Sequence, residues 1–471
     1  MNNKTVLSVI LAFFLISCTF KKEDKKQTVT SGNRPNIIFL LCDDLRFDAV
    51  GYTGNSIIRT PHIDQLAEQG ITFNNAYVTT SICAVSRASI LSGQYARKHG
   101  IWGFSKNFSE EQLANTYPIL LKESGYTIGF IGKYGVGHEV PEDKFDFWEG
   151  FNGQGSYKQF DGNGNPIHLT EKMGNQALEF LDKQLNKDAP FCLSVSFKAP
   201  HVEGDPGYFL PDEQFNHLYK DDDIPVPTTS SKEFFSHFPE RFTKNNVARN
   251  RWESRFKTPK IQQENIKKYY RLISGVDKVV GRIMDALRES GQDENTVIIF
   301  TSDNGFYLGE YGFAGKWYGS DPSIRVPLVI TDLRNKLNKS ASRDEMVLNI
   351  DIAPTILGFA NVKAPKHMQG KNIQALIEEP QMPWRNSFFY EHLWQSSERY
   401  YIPSTEGVVF KDKKYMTYFK DFDSENIVFE ELYDTNVDIN ETNNLINNPE
   451  KDSLKNQMQI MLNKLKVAAL K

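Results

Sequence analysis

The chain has 471 residues, with 55 Lys and Arg against 59 Asp and Glu and a formal net charge of −4. That near balance excludes an electrostatically driven nucleic-acid binder, so any anion site must be a local gathering of basic groups. The length suffices for one large α/β domain plus a smaller one, and the four cysteines, at 18, 42, 83 and 192, make no disulfide framework.

The first element is an address. Lys4 precedes an apolar run over 6–16 that ends in Leu15-Ile16-Ser17-Cys18. A run this short falls below a membrane span and reads as a signal peptide, 1–17. Its ending has the form of a bacterial lipobox, with Cys18 the lipidated residue. Residues 18–33 are charged and poor in apolar side chains, as expected of a flexible tether. The expected product is an exported bacterial lipoprotein of the outer membrane, periplasm or cell surface, held to the membrane by its lipid.

Residues 36–42 are continuously apolar, the pattern of a central parallel strand covered on both faces, and they end in Asp43-Asp44. Helices are expected over 61–70 and 116–125, each stopped by Gly, with a further helix from Cys83 through Arg87 to Leu91. A strand over 126–131 leads into Gly132-Lys133. An amphipathic helix over 170–183 is followed by a strand over 191–197 and Lys198-Ala199-Pro200-His201. Residues 203–260 lose the period and read as an inserted region that shapes a cleft. A helix over 262–290 restores the rhythm, and the strand at 296–301 ends in Asp303-Asn304-Gly305. Segments 325–330 and 346–358 complete a doubly wound, mostly parallel α/β domain over 34–380. From about Trp384 the composition shifts. Short antiparallel strands at 387–390, 407–410 and 414–419 and a closing helix at 453–465 make 381–471 a smaller α+β subdomain.

Two features carry chemistry. Asp43, Asp44, Asp303 and Asn304 are hard oxygen donors that suit Ca2+ or Mg2+. Open parallel sheets bind ligands beyond their C-terminal strand ends, so the two acidic clusters can meet there. Cys83 would open its helix where unpaired N–H groups and the positive dipole end collect negative charge, with Arg87 one turn on facing the same spot. That arrangement suits a nucleophile handling an oxyanion. Acidic pairs after strands also cap helices, and a free Cys also packs as a small hydrophobe. The residues alone leave those readings open.

Taken in order, the motifs resemble those of type I sulfatases of the alkaline-phosphatase-like superfamily. Cys83-Ala84-Val85-Ser86-Arg87 is similar to C-x-(Pro or Ala)-x-R, with Val85 at the Pro or Ala place. The strand ending in Asp-Asp, the Gly-Tyr-x-x-Gly-x-x-Gly-Lys at 125–133, Pro200-His201, Ser302-Asp303-Asn304-Gly305 and Gly315-Lys316 follow in the family's order. Glu431-Leu432-Tyr433-Asp434 looks like its closing segment. The resemblance implies one Ca2+ held by Asp43, Asp44, Asp303 and Asn304 against residue 83. It also implies that a formylglycine-generating enzyme oxidises Cys83 to Cα-formylglycine (3-oxoalanine), whose hydrate is the nucleophile. Arg87 would steady that hydrate, Lys133 and Lys316 would bind sulfate oxygens, and His201 would protonate the leaving oxygen. Gly135 stands where the family has His, and His138 is the candidate for that role. His367, Glu391, His392 and Arg399 are candidate substrate contacts. The expected substrate is an extracellular sulfated glycan, with algal chains such as ulvan placed ahead of animal glycosaminoglycans. Two other readings stand at this point: a phosphoesterase of the same superfamily, and an inactive glycan-binding lipoprotein.

Overall fold

In the strand Asn36–Asp43 (β1), Ile37, Phe39 and Leu41 enter one hydrophobic core, and Ile38, Leu40 and Cys42 enter another. Side chains alternate along a strand, so a wholly apolar run is stable only where both faces are covered. The computed structural model describes residues 34–185, 187–204, 207–334, 340–393 and 400–471. The expected signal peptide, tether and Cys18 lie outside the described residues, as does Arg399. Arg34–Lys471 form one compact unit.

The elements of the main layer are α1 (Pro61–Gln69), β2 (Ile71–Tyr77), α2 (Cys83–Ser92), β3 (Thr127–Lys133), β4 (Phe147–Phe151), α3 (Leu169–Gln184), β5 (Phe191–Pro200), α4 (Pro259–Glu289), β6 (Thr296–Ser302), β7 (Leu328–Asp332), β8 (Ala341–Leu348) and α5 (Ile352–Phe359). The eight strands lie in the order β8-β2-β7-β6-β1-β5-β3-β4. All neighbours are parallel except that β7 runs antiparallel to both β2 and β6. Helices α1, α3 and α4 cover one face, and α2 and α5 cover the other. Helical crossovers join most of the parallel strands, and the one from β5 to β6 also carries the inserted region.

Two strands, β2 and β8, carry no sequence signal. Asn74 and Asn75 interrupt the first, and Ser342, Arg343, Asp344 and Glu345 fill half of the second. They pair with each other at the sheet's edge, where a strand keeps one face in solvent and tolerates such residues. The inserted region holds three short helices, Lys232–Ser236, Glu240–Thr243 and Val247–Arg255. Aromatic packing anchors it in place of helical periodicity: the Phe242 ring lies 5.1 Å from those of both Phe238 and Tyr418.

The last part is a four-stranded antiparallel sheet of β9 (Ser387–His392), β10 (Ser404–Phe410), β11 (Lys413–Lys420) and β12 (Asp423–Asp434), followed by α6 (Asp452–Ala468). Phe389, Val408, Tyr415 and Leu432 pack on Met458 and Leu462 of α6. Phe388, Tyr390, Val409, Met416 and Tyr418 face the other way and join the core that holds α2. The small sheet is thus buried on both faces, which ties it to the large one. Among the described residues no helix is long and apolar enough to cross a membrane.

Candidate active site

Four neighbouring parallel strands, β6, β1, β5 and β3, end at the same side of the sheet. They deliver Asp303-Asn304, Asp43-Asp44, His201 and Lys133 to one place, the crevice such sheets use for ligands. In an extended strand Asp43 and Asp44 would face opposite ways. Asp44 instead takes a left-handed conformation, φ 69, which turns the chain so that both carboxylates reach the same centre. The β1 and β6 ends are stitched together: Asp303 N donates to Cys42 O at 3.0 Å, and Leu45 N donates to Ser302 Oγ at 2.9 Å. Gly305 is required by close approach, since a Cβ there would lie 2.2 Å from Pro322 O.

Helix α2 packs on one face of the sheet and brings its first turn to these strand ends. All ten of its residues are buried, and no side chain caps its first turn, which begins at Cys83. Cys83 Sγ, His201 and the carboxylates of Asp43 and Asp44 lie within 4.8 Å of one another. Lys316 Nζ sits 2.9 Å from the sulfur and donates to Asp44 Oδ1. Lys133 Nζ donates to Asp43 Oδ2 and, at 2.7 Å, to Gln154 Oε1. Arg87 donates through Nε to Asp303 Oδ2 at 2.8 Å and through Nη1 to Lys133 O at 2.6 Å and to Ser196 Oγ.

Electrostatics follow from this crowding of buried charge. Burial opposes ionisation of Asp43, but Lys133, His201, Lys316 and Arg87 hold its carboxyl well below the usual range. Asp303 goes the other way: burial, then Asp43, push it up to about 6 against Arg87 and the lysines. Lys316 is held above the ordinary lysine range, because Asp44, Cys83, Asp43 and Asp303 outweigh burial. Burial, then Asp43, lift the Cys83 thiol to about 12. Burial depresses His201 to about 4, with the two lysines adding to it. His201 Nδ1 donates to Val202 O at 2.6 Å, so Nε2, 3.6 Å from Asp44 Oδ2, carries the lone pair. The imidazole is neutral near pH 7. Its expected part as a proton donor therefore depends on negative charge brought by a substrate.

Asp43 Oδ1, Asp44 Oδ2 and Asn304 Oδ1 are buried and accept no hydrogen bond. Buried oxygens without donors are costly, and three hard ones beside each other fit a divalent cation such as Ca2+. Asp303 is placed differently from the expected ligand set, with Oδ2 on Arg87 and Oδ1 accepting from Asp44 N at 3.3 Å. Among the described residues, the group of His, Cys and carboxylates able to share an ion contains a single imidazole, unlike a histidine-rich zinc pair.

The Sulfatase family model matches residues 35–362. The chain belongs to the sulfatase family. A second model, N-sulphoglucosamine sulphohydrolase, C-terminal, matches 309–468. An N-acetylglucosamine-6-O-sulfatase of Bacteroides thetaiotaomicron is 27% identical over 95% of this chain and 88% of its own length. An ulvan-active sulfatase of Formosa agariphila is 26% identical, over 97% and 86%. A solved protein in complex with its substrate D-glucosamine-2-N,6-O-disulfate superposes with a TM-score of 0.77 at 25% identity, over 93% of this chain and 98% of that one. The protein is a sulfuric ester hydrolase, with the large mixed sheet and small antiparallel sheet of its solved relatives.

The structure brings together Asp43, Asp44, Cys83, Arg87, Lys133, His201, Asp303, Asn304 and Lys316 of the sulfatase. It does not bring His138 in. That side chain is exposed, and its backbone bonds to Asn107 and Asn152. Gly135, where a histidine was expected, has φ 73, and a Cβ there would lie 2.8 Å from Arg87 Cδ. A side chain at that point would have to displace Arg87 and would sit in a strained backbone conformation. Glu391 is also removed from the substrate-contact set: it is fully buried and paired with Arg97 at 2.7 Å, a bond that fastens the small sheet to the main layer. His392 is buried beside it, where burial and then Lys316 depress its imidazole to about 3. His367 is half-buried, and its backbone carbonyl accepts from Gln94. Ser196 and Gln154 carry no signal in the sequence, and Ser302 stands in its motif without an evident role. The two serines sit at strand ends where only the register gives them a role, and Gln154 lies in an irregular loop.

Proposed function

We propose that the sulfatase releases sulfate from sulfated glycan chains, using a formylglycine made from Cys83 by a maturation enzyme and a Ca2+ held by Asp43, Asp44 and Asn304 with Asp303 alongside. The position of residue 83 carries this reading, because its side chain heads a buried helix among two carboxylates, an imidazole and Lys316. As a thiol it is a poor nucleophile, since burial and Asp43 raise it to about 12 and it keeps its proton at neutral pH. Formylglycine supplies a hydrated aldehyde, whose oxygen attacks without any need for a thiolate. Ca2+ would supply positive charge against the sulfate oxygens.

The chain's own groups do the rest. The Lys316 and Lys133 ammonium groups lie at the mouths of the acidic strand ends and hold sulfate oxygens. Arg87, fixed by Asp303, keeps residue 83 oriented. His201 Nε2 faces the same centre; the negative charge of a bound sulfate ester would raise its basicity, so that it takes a proton from water and passes it to the leaving oxygen.

The relatives divide the substrate question. The glucosamine-directed matches support N- or 6-sulfated glucosamine as the sulfated unit, and the ulvan-active relative supports ulvan. Free sulfate would be measured with heparin and ulvan fragments, together with the mass of the peptide carrying residue 83. An aldehyde at 83 and sulfate release that drops more than about 10³-fold in Cys83→Ala are expected. An unmodified thiol in fully active protein rules out the formylglycine, and no release from either glycan rules out the substrate class. Export and lipid anchoring at Cys18 belong to the same proposal on the strength of the Leu15–Cys18 ending; lipid labelling that persists in Cys18→Ala rejects them.

A further inference from the structure

A cavity of about 580 Å3 opens between the inserted helices and β12, and none of the clustered active-site residues lines it. Its size lies within the range of about 300–1,000 Å3 usual for ligand sites. Phe234, Phe238 and Phe429 present half-buried rings there, with Phe238 and Phe429 meeting edge to face at 5.5 Å. His237 and Arg241 are exposed at the rim, and Arg241 is held in place by Nε donating to Val428 O at 3.0 Å.

The floor is acidic and incomplete. Glu441 is 4% exposed, and its Oε1 accepts from Lys414 while its Oε2 has no donor. Glu431 nearby differs: its two oxygens accept from Tyr418 at 2.7 Å and Tyr433 at 3.0 Å. A buried carboxylate oxygen without a donor is expensive, so its place in a cavity wall calls for a hydroxyl or N–H from a ligand. A bare anion would be repelled by Glu430, whereas a purely apolar ligand would leave Oε2 of Glu441, whose carboxyl burial pushes up to about 8, unmatched. A sugar ring meets each demand. Its C–H face packs on phenyl rings, its hydroxyls donate to or accept from the Glu441 carboxyl, and a sulfate or carboxylate substituent pairs with Arg241 and His237 at the mouth.

We propose that this cavity is a second saccharide-binding site, which takes a sugar unit of the glycan chain remote from the sulfate being removed. The inference rests on the reading that the substrate is a glycan. It makes the sulfatase a chain-binding enzyme, in which the inserted region contributes affinity for length.

The test uses the full chain and two rim variants, Phe234→Ala and Arg241→Ala, neither of which belongs to the catalytic cluster. Binding of heparin and ulvan octasaccharides would be measured by calorimetry, with D-glucosamine-2-N,6-O-disulfate as a single-unit control and thermal melting as a check on folding. The expected result is an affinity loss of about tenfold or more for at least one octasaccharide in both variants, with the single unit and the melting temperature unchanged. Equal octasaccharide affinities in wild type and variants, including no measurable binding of either chain, overturn the proposal. So does an equal loss for the single unit, which would mean general damage. Sulfate release is read separately, so failure of the glycan-sulfatase reading and failure of the second site give different results.

Discussion

Lys316 Nζ lies 2.9 Å from the Cys83 sulfur and also donates to Asp44, so one ammonium group links the head of α2 to the acidic end of β1. The next residue, Trp317, holds φ 87, a conformation that costs a bulky side chain about 1–3 kcal/mol. Tyr390 of the small sheet donates to Trp317 O at 2.6 Å and helps to keep that turn. The C-terminal sheet therefore bears on the position of the lysine.

Arg87 and Asp303 form a buried pair at 2.8 Å, with both side chains at most 2% exposed. Removing one member strands the other charge, at a cost of about 3–5 kcal/mol. Arg87→Met should lose that much in urea unfolding, and Arg87→Met with Asp303→Asn should recover part of it.

Gly135→Ala should destabilise the protein by about 1–2 kcal/mol, because an L residue is strained at positive φ and its Cβ would press on Arg87. Gly135→His should fail to raise turnover for the same reason. A stable and faster Gly135→His enzyme contradicts the packing described here.

Cation binding should show in stability without any assay of activity. A cation at about 100 times its Kd stabilises the folded state by about 2.7 kcal/mol. Calcium should raise the melting temperature of the wild type and a chelator should lower it. Asp44→Asn and Asn304→Ala, which alter two of the unpartnered oxygens, should lose most of that shift.

His99 predicts an acid-side loss of stability away from the active site. It is buried, with Ile101 N donating to Nδ1 at 3.1 Å and Nε2 facing Ser89 Oγ at 3.0 Å, and burial then Lys106 lower it from 6.5 to about 3. Between those values the unfolded chain binds the proton and the folded chain does not. Stability therefore rises with pH across that window and falls on acidification, by about 1.4 kcal/mol per pH unit from this group. His99→Gln should flatten the slope of unfolding free energy between pH 4 and 6, in which window about one proton less should be taken up on unfolding.

His201→Gln should slow sulfate release from sugar esters more than from 4-nitrophenyl sulfate, whose phenolate leaves without a proton. Equal loss on both would assign His201 a binding role alone.

Much of the active site could be read from the chain. Asp43-Asp44 and Asp303-Asn304 close two apolar runs, and such runs become parallel strands whose ends share a crevice. Cys83 and Arg87 are one turn apart, so a helix of either burial puts them on one face. Glu391 and His138 show the limit. Both are polar residues in the right neighbourhood, yet one is locked against Arg97 and the other looks into solvent, outcomes that depend on which long-range partner each meets. The edge strand β8 and its neighbour β2 show no apolar rhythm for a related reason, since strands at a half-exposed margin of the sheet need none.

The sequence by itself determined the central strands and the long helices, and which chemical groups stand at their ends, because period and hydrophobicity are local properties. Only the tertiary structure decided that Asp44 turns into the left-handed region, that Oδ1 of Asp43, Oδ2 of Asp44 and Oδ1 of Asn304 are left without donors, and that Lys316 reaches residue 83. Those facts arise from burial and from contacts between residues far apart in the chain, and desolvation sets their energies only once the layers have closed.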